Sequence, residues 1–185
     1  VFMHKDLKVI FQNKTDLQNI CDFTNLPKEK TILIKGSGVD LNEYKFSKIP
    51  KSKPIVLFPA RLLSSKGIYE FIESAKILKR LGRFVIVGKH DFEARKCIKL
   101  NELETLENKG IIEYWGESFD MPKIFKLSSI VVLPSYREGM PKSLLEAAAS
   151  GRAIVTTNVP GCKDAIIDGI TGILVPSRDT FALTN

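Results

Sequence analysis

Two glutamates have the spacing and surroundings to bind a ligand rich in hydroxyl groups. Glu138 lies in a polar loop after an apolar strand at residues 130–133, and Glu146 lies eight residues later in a short helix. Carboxylates accept hydrogen bonds from paired hydroxyls, such as those of a sugar or a ribose. Glu146, between Leu145 and Ala147, has two interpretations. Its carboxylate reaches water from a helix edge, or both glutamates face a ligand over the helix N-terminus, where an anion is also favoured.

Arg61 and Lys66 flank the turn between a second apolar strand, at residues 55–58, and a helix. Arginine contacts an anion as a planar fork and lysine as a mobile point charge, so the two side chains can converge on one phosphate group. Gly67 follows at the helix start, a favourable position for an anion. Taken singly, such an arginine and lysine are more often solvated surface charges, and the phosphate site is the alternative that Gly67 at the helix start supports.

The stretch around the two glutamates resembles a known motif. Residues 138–146, EGMPKSLLE, are followed by AAASGRAIVTTNVPG. This order is similar to the E-x7-E motif of the retaining group 1 glycosyltransferases (family 4) of the GT-B fold. The spacing alone is weak, but here the motif lies between a strand ending in Pro134 and Ser135 and a small-residue helix ending in Gly151. The resemblance covers about residues 31–185.

The resemblance implies a role for each charged residue. Glu138 would contact the donor sugar near the reacting carbon and offset positive charge there, without acting as a nucleophile. Glu146 would hold the nucleotide ribose. Arg61 and Lys66 would bind and stabilise the donor diphosphate. The other residues expected to face the nucleotide sugar lie at the helix start and at the ends of neighbouring strands: Gly139, Met140, Pro141, Lys142, Gly88, Tyr114 and Trp115.

Apolar strands alternate with amphipathic helices along the chain, which predicts an α/β fold. We expect a three-layer α/β/α Rossmann-like domain with a mainly parallel sheet and its ligand loops on one edge. Helices are predicted at residues 13–21, 68–81, 92–107, 120–127, 141–150 and 163–167, with a last one after Asp179. The residues expected on their buried faces include Leu81, Cys97, Ile98, Leu145 and Ala148.

The domain organisation also follows from the resemblance. Residues 36–38, Gly-Ser-Gly, begin a dinucleotide fingerprint that Leu41 leaves incomplete. By the resemblance, residues 36–40, Gly-Ser-Gly-Val-Asp, match instead the segment that links the two halves of a GT-B enzyme. Residues 1–40 are therefore expected to enter from a missing N-terminal domain and to carry the first strands. Residues 41–185 are expected to form the nucleotide-sugar-binding domain, the C-terminal half.

Composition narrows the class of protein. The chain has 185 residues, of which 44% are hydrophobic and 26% charged, as in an ordinary globular domain. No apolar run approaches the length of a membrane span and no signal-peptide pattern is present, so a cytoplasmic location is expected. Three widely spaced cysteines and two histidines indicate neither a disulfide frame nor a metal site.

The formal charge of +7 has three interpretations: a nucleic-acid surface, an anionic membrane or a phosphorylated substrate. No nucleic-acid recognition pattern accompanies the lysines, so nucleic acid is not expected as a partner. The lysines are spread rather than clustered, with a partial concentration at Lys45, Lys48, Lys51 and Lys53. The basic surface as a whole suits peripheral contact with an anionic membrane.

The predicted function is that of the donor-binding domain of a retaining hexosyltransferase in bacterial polysaccharide, lipopolysaccharide or glycolipid synthesis. By the resemblance, the donor is a UDP-linked or GDP-linked sugar, no further cofactor is needed, and the missing domain binds the acceptor sugar or lipid-linked sugar. The fragment alone is expected to bind nucleotide weakly and to turn over little. The alternatives are a GT-B nucleotide-sugar epimerase, a phosphorylase-like enzyme and a non-catalytic nucleotide-binding module.

Overall fold

The structure, a computed structural model, describes residues 4–91, 93–94 and 96–185. Its strands are β1 (Val9–Phe11), β2 (Thr31–Leu33), β3 (Ile55–Pro59), β4 (Arg83–Val87), β5 (Glu113–Tyr114), β6 (Ile130–Leu133), β7 (Ala153–Thr157) and β8 (Ile173–Val175). Its α-helices are α1 (Lys14–Thr24), α2 (Ile68–Leu78), α3 (Leu100–Asn108), α4 (Met121–Leu127), α5 (Lys142–Ala149) and α6 (Thr180–Thr184).

Six strands form one parallel sheet in the order β5-β4-β3-β6-β7-β8. Val56 in β3 pairs with Phe84 on one side and Ile130 on the other. The strand order reverses between β3 and β6, so successive crossovers lead away from this point in opposite directions. Such a switch point leaves a crevice at the carboxyl ends of the two central strands.

Helices cover both faces of this sheet, which confirms the predicted α/β/α layers. Alternate residues of β4 point to opposite faces, as the period of a strand requires. Phe84 and Ile86 belong to a core that includes residues of α2 and α3. Val85 and Val87 belong to a second core that includes residues of α4 and α5. An apolar strand such as β4 therefore contributes side chains to both cores.

The strands β1 and β2 form a separate two-stranded parallel sheet, in which Val9 pairs with Thr31. The helix α1 connects them, and Asn13 caps its N-terminus by accepting a hydrogen bond from the backbone N–H of Asp16. No helix in the described part of the chain is long and apolar enough to cross a lipid bilayer.

Two predicted helices are shorter than expected. The helix α2 ends at Leu78, and Leu81 is exposed rather than buried, because the chain must turn through Gly82 to enter β4. The helix α3 begins only at Leu100. Ahead of it, Cys97 pairs with Leu63 in an antiparallel bridge, and the N–H of Ile98 donates to the carbonyl of Leu62. This pairing satisfies backbone groups that a helix would otherwise satisfy. Phe92, the predicted first residue, lies outside the described residues.

Two further predictions need correction. Residues 163–167 form turns instead of a helix, and the Asp164 carboxylate accepts from the N–H of Gly161 at 3.0 Å. Such side-chain acceptors compete with helix formation. In α5, Pro141 is the N-cap and not the first helical residue. The buried face of α5 consists of Leu144, Glu146 and Ala147, while Ala148 is exposed and Leu145 is only partly buried.

Gly67 brings the start of α2 directly against the end of β6. Its backbone has a φ of +78°, and a Cβ atom there would lie 2.2 Å from the carbonyl oxygen of Pro134. Only glycine adopts this conformation readily and also leaves room for the neighbouring strand. Gly110 has a similar φ, +59°, but open space around it.

These two glycines form a matched pair for substitution. We expect Gly110→Ala to destabilise the fold by about 1–2 kcal/mol, the cost of a left-handed backbone at alanine. Gly67→Ala should cost a further 1–3 kcal/mol, roughly, because the methyl group overlaps Pro134. Denaturant unfolding of both variants measures the difference. Equal destabilisation would contradict the close contact between α2 and β6.

The three cysteines are free thiols in different surroundings. Cys162 is fully buried beside Thr156 and Thr157, and burial raises the pKa of its thiol. Cys21 and Cys97 are partly exposed. Because the thiolate is the reactive species, a raised pKa and burial both slow the reaction of Cys162 with electrophiles.

We therefore expect a disulfide reagent at pH 8 to modify Cys21 and Cys97 in the folded chain and Cys162 only on unfolding. The thiolate that the reagent releases is measured over time, before and after adding denaturant, and gives the number of modified cysteines. Cys162→Ala should remove the slow phase and leave the fast one unchanged. A fast reaction of all three thiols would show that the loops around Cys162 are not closed.

Candidate functional site

Two adjoining pockets lie at the switch point, where β3 and β6 end. The first, of about 270 Å³, is lined by Arg61, Lys66, Glu138 and the start of α5. The second, of about 240 Å³, is lined by Gly88, Glu146 and again Arg61. Both pockets also share Pro59, Ala60 and Ser143. The four charged residues singled out in the sequence thus meet in one crevice.

Lys66 and Glu138 form an ion pair inside the first pocket. The ammonium Nζ of Lys66 lies 2.6 Å from Oε1 of Glu138, and the hydroxyl of Ser135 donates to the same oxygen at 2.7 Å. The Lys66 side chain is 22% exposed and that of Glu138 is 13% exposed. Two donors therefore fix one carboxylate oxygen of Glu138, and an arriving phosphate would compete for Lys66.

Arg61 is the more exposed cation of the pair predicted to bind phosphate. Its side chain is 57% exposed, and its Nη1 lies 3.5 Å from Oδ2 of Asp91. At this distance and exposure the pair is weak. The guanidinium keeps several N–H donors for a ligand, since it carries five in all. Its position between the two pockets suits a group that bridges them.

Glu146 is buried, which argues against the interpretation that its carboxylate reaches water from a helix edge. Its side chain is 9% exposed, and Lys142 lies one turn earlier with Nζ 3.3 Å from Oε1. Tyr44, from the loop before β3, donates a hydrogen bond to this carboxylate. Burial and the charge of Glu146 raise the pKa of Tyr44 above its ordinary value. Glu146 is thus a paired, oriented carboxylate facing the second pocket.

The residues between the two glutamates separate into two groups. Met140, Pro141 and Lys142 line the first pocket. Gly139 lies behind it, where a Cβ atom would stand 2.1 Å from Oε1 of Gln12.

Gly88 lines the second pocket, and a Cβ atom there would stand 1.9 Å from the carbonyl oxygen of Ala60. Glycine at this position allows the ends of β3 and β4 to approach each other closely.

Tyr114 and Trp115 lie beside the pockets rather than in them. The hydroxyl of Tyr114 donates to the carbonyl of Gly88 at 3.0 Å, and the indole N–H of Trp115 donates to Glu113 at 3.1 Å. Their side chains pack against opposite cores, as neighbours in a strand must. Among the described residues, those that line the second pocket on this side are instead Lys89, Glu117, Ser118 and Met121.

Tyr136 connects the loop of Glu138 to α2. Its hydroxyl donates to Oε1 of Glu70 at 2.7 Å, and its backbone N–H donates to the carbonyl of Ser65. Burial, together with the Glu70 carboxylate, raises the pKa of Tyr136 to about 12. The guanidinium of Arg178 covers the ring at 4.4 Å. The turn that carries Lys66 and the loop that carries Glu138 are therefore held to each other.

Several residues of the site are not evident from the sequence. Asp91, Tyr44 and Ser135 contact Arg61, Glu146 and Glu138 respectively. Ser135 adjoins the motif and a search for donors near Glu138 could find it. Tyr44 and Asp91 are distant in sequence, so only the folded chain brings them to the site. Within the described residues, no group of three or more histidine, cysteine, aspartate or glutamate side chains could hold a metal ion.

The arrangement is suited to a ligand with an anionic centre and hydroxyl groups on either side. Arg61 and Lys66 can donate to a diphosphate at the boundary between the pockets. Glu138 and Glu146 can each accept hydrogen bonds from hydroxyls in the first and the second pocket. The start of α5, which lines the first pocket, adds the favourable end of a helix dipole.

Comparison with known proteins shows which family has this fold. The family model described as "Glycosyl transferases group 1" matches residues 53–185. An N,N'-diacetylbacillosaminyl-diphospho-undecaprenol alpha-1,3-N-acetylgalactosaminyltransferase from Campylobacter jejuni is 35% identical over 197 residues, which cover 99% of this chain and 50% of that protein. The chain spans about half the length of this curated relative.

Two solved structures are also similar. HepE of Anabaena, in complex with UDP and glucose, has a TM-score of 0.82 at 20% identity over 96% of this chain and 51% of that one. The C-terminal domain of the group 1 glycosyl transferase LpcC from Francisella tularensis has a TM-score of 0.66 at 26% identity over 80% of this chain and 84% of that one. The fold, the family match and these relatives together show that the chain belongs to the group 1 glycosyltransferases of the GT-B fold, in which it corresponds to the C-terminal half.

Proposed function

We propose that this chain is the donor-binding domain of a retaining glycosyltransferase that transfers a hexose from a nucleotide sugar to an acceptor. The observation that carries the proposal is the convergence of Arg61, Lys66, Glu138 and Glu146 on two adjoining pockets at the switch point. A diphosphate sugar needs cations at its centre and hydrogen-bond acceptors at both ends, and this crevice supplies both. The relatives named above are transferases and not epimerases. This favours the proposed transferase function over the alternatives.

In this proposal the diphosphate lies at the boundary between the pockets. Arg61 donates to it as a fork, while Lys66 leaves Glu138 and turns toward a phosphate oxygen. When the bond to the sugar breaks, negative charge develops on the departing diphosphate, and both cations stabilise it there. Their contribution is largest in the transition state, because the charge that they stabilise develops only as this bond breaks.

Glu138 then acts on the sugar side of the breaking bond. Ser135 continues to hold Oε1 after Lys66 turns away, so the carboxylate keeps its orientation. The negative charge of the carboxylate offsets positive charge at the anomeric carbon, and its oxygens accept hydrogen bonds from sugar hydroxyls. No covalent intermediate is invoked. Met140, Pro141 and Lys142 form the neighbouring wall, which we propose contacts the sugar.

The second pocket holds the nucleoside. Glu146 accepts hydrogen bonds from the ribose hydroxyls, in competition with Tyr44 and Lys142. The base lies against Gly88 and the residues near it, with Tyr114 supporting the wall from behind through its hydrogen bond to Gly88. We propose a UDP-linked or GDP-linked donor, and the UDP in the similar HepE structure supports the first.

The acceptor is proposed to bind to the other half of a larger cytoplasmic protein. Residues 1–40, with the separate sheet of β1 and β2, would form the junction with that half, and residues 41–185 the donor domain. The name of the Campylobacter jejuni relative, which acts on a diphospho-undecaprenol-linked sugar, supports a lipid-linked acceptor. The function would then lie in bacterial polysaccharide or glycolipid synthesis.

A lipid-linked acceptor would place the protein at an anionic membrane, and one surface suits that contact. The basic segment, residues 45–53, carries four exposed lysines, and Phe46 and Ile49 are 74% and 51% exposed between them. It lies at the amino-end edge of the sheet, where Ser47 bonds to Ser150. This edge is opposite the pockets, so membrane contact would leave them open to the donor.

Titration calorimetry of the chain with UDP, GDP and ADP tests the donor site. We expect one nucleotide to bind weakly but saturably. Glu146→Gln should weaken it by about 10-fold to 100-fold, since a hydrogen bond to a charged group is worth about 1.5–3 kcal/mol. Arg61→Ala with Lys66→Ala should abolish binding, and Lys109→Ala, an exposed control at the C-cap of α3, should leave it unchanged. If all three nucleotides fail to bind, the proposal is wrong.

Co-sedimentation with vesicles tests the membrane contact. We expect the chain to bind phosphatidylglycerol vesicles at low salt and to lose this binding at high salt. Replacing Lys45, Lys48 and Lys51 by Glu should weaken binding at least about 100-fold, since each lysine near an anionic surface contributes about 1 kcal/mol. The control variant replaces the exposed Lys123, Lys126 and Lys163 by Glu, which changes the net charge by the same amount as the first triple variant. Equal losses in the two triple variants would show that no particular surface is used.

A further inference from the structure

Asn13, which joins β1 to α1, is a polar residue buried to 2% exposure. Its Oδ1 accepts from the N–H of Asp16 at 2.8 Å, which caps the helix. Its amide Nδ2 donates to Oδ2 of Asp16 at 2.9 Å and to the carbonyl of Gly139 at 2.9 Å. The cap requires only the first of these bonds, and the bond to Gly139 reaches the residue that follows Glu138.

The residues next to Asn13 hold the same loop. The Asp16 carboxylate forms an ion pair with Arg137, which precedes Glu138. Gln12 occupies the space beside Gly139, where a Cβ atom would stand 2.1 Å from its Oε1. Both neighbours of Glu138 in the chain are therefore fixed by residues 12–16.

The opposite side of the loop is fixed by the chain after β7. The N–H of Glu138 donates to the carbonyl of Pro160 at 3.2 Å, and a Cβ atom on Gly161 would stand 2.4 Å from the carbonyl oxygen of Glu138. The backbone of Glu138 thus lies between two supports. One belongs to the main sheet and the other, at Asn13, belongs to the junction of β1 and α1.

We propose that Asn13 is a positioning residue for the Glu138 carboxylate. Its bond to Gly139 holds the loop against Pro160 and keeps Glu138 at the distance from Lys66 and Ser135 seen in the structure. The donor-sugar site is then built in part by residues 12–16 and not by the six-stranded sheet alone. The consequence for the sugar rests on the proposed function, because it assumes that Glu138 contacts the donor sugar.

The substitution Asn13→Ser separates the cap from the positioning role. Serine is as good an N-cap as asparagine, so α1 should remain intact. Its shorter side chain cannot also donate to Gly139. Asn19→Ser, an exposed change in the middle of the same helix, is the matched control.

Hydrogen exchange followed by NMR needs no ligand and tests the positioning directly. We expect Asn13→Ser to raise the exchange rate of the Glu138 amide by about fivefold, as the loss of one hydrogen bond implies. Amides in α1 should keep their rates, and Asn19→Ser should change neither set. An unchanged Glu138 amide in Asn13→Ser would overturn the proposal. If that variant does not fold, Arg137→Gln removes the neighbouring ion pair without touching the cap and should accelerate the same amide.

Calorimetry with UDP and UDP-glucose then tests the consequence for the donor. We expect Asn13→Ser to leave UDP affinity within about twofold and Glu138→Gln to raise it, because loss of the carboxylate charge frees Lys66 for the diphosphate. Both variants should reduce the advantage of UDP-glucose over UDP by a similar factor, about threefold to tenfold. If Glu138→Gln leaves that advantage unchanged, the sugar role in the proposed function is wrong, while the exchange result still decides the positioning. If Glu138→Gln reduces it and Asn13→Ser does not, Asn13 holds the loop without affecting the sugar site.

Discussion

Parallel pairing of the six strands is the constraint on which the site depends. When all strands run in one direction, every loop that follows a strand lies on the same edge of the sheet. The helices after β3 and β6 then pack on opposite faces, so the ends of these two strands are left uncovered. Lys66 and Glu138 lie 72 positions apart in the chain and meet at this opening at 2.6 Å. Their contact is therefore a property of the topology more than of local sequence.

Burial of the two glutamates would be costly if each lacked partners. Glu138 is held by Lys66 and Ser135, and Glu146 by Lys142 and Tyr44. Each set contains one cation and one hydroxyl donor, so both carboxylates have polar partners in a crevice that is partly shielded from water. The same sets fix the orientation of the carboxylates before any ligand arrives. A ligand meets acceptors that are already placed, which lowers the cost of ordering them on binding.

Much of this architecture could be predicted from the sequence, because buried parallel strands appear as short apolar β-branched runs and their ends mark the ligand edge. The runs at residues 55–58 and 130–133 located Arg61, Lys66 and Glu138 correctly in one crevice. Some of the predictions that failed concern interactions between distant segments. Cys97 and Ile98 have a helical apolar pattern, but pairing with Leu62 and Leu63 holds them extended. Tyr114 and Trp115 lie at the ligand edge, as expected, and each also packs against one of the two cores, while their contact with the nucleotide stays a prediction. Asn13 could be recognised only as a helix cap, because its bond to Gly139 joins residues 126 positions apart.

The pairing of cations with carboxylates around the pockets also affects how the site exchanges its occupants. Arg61 faces Asp91, Lys66 faces Glu138 and Lys142 faces Glu146, so these side chains balance one another in charge despite the net charge of +7 on the chain. An incoming diphosphate takes the place of these carboxylates beside the cations. When it leaves, the carboxylates return to the cations. In the proposed function, the resident carboxylates would compete with the departing nucleotide for these cations, which would favour its release after transfer.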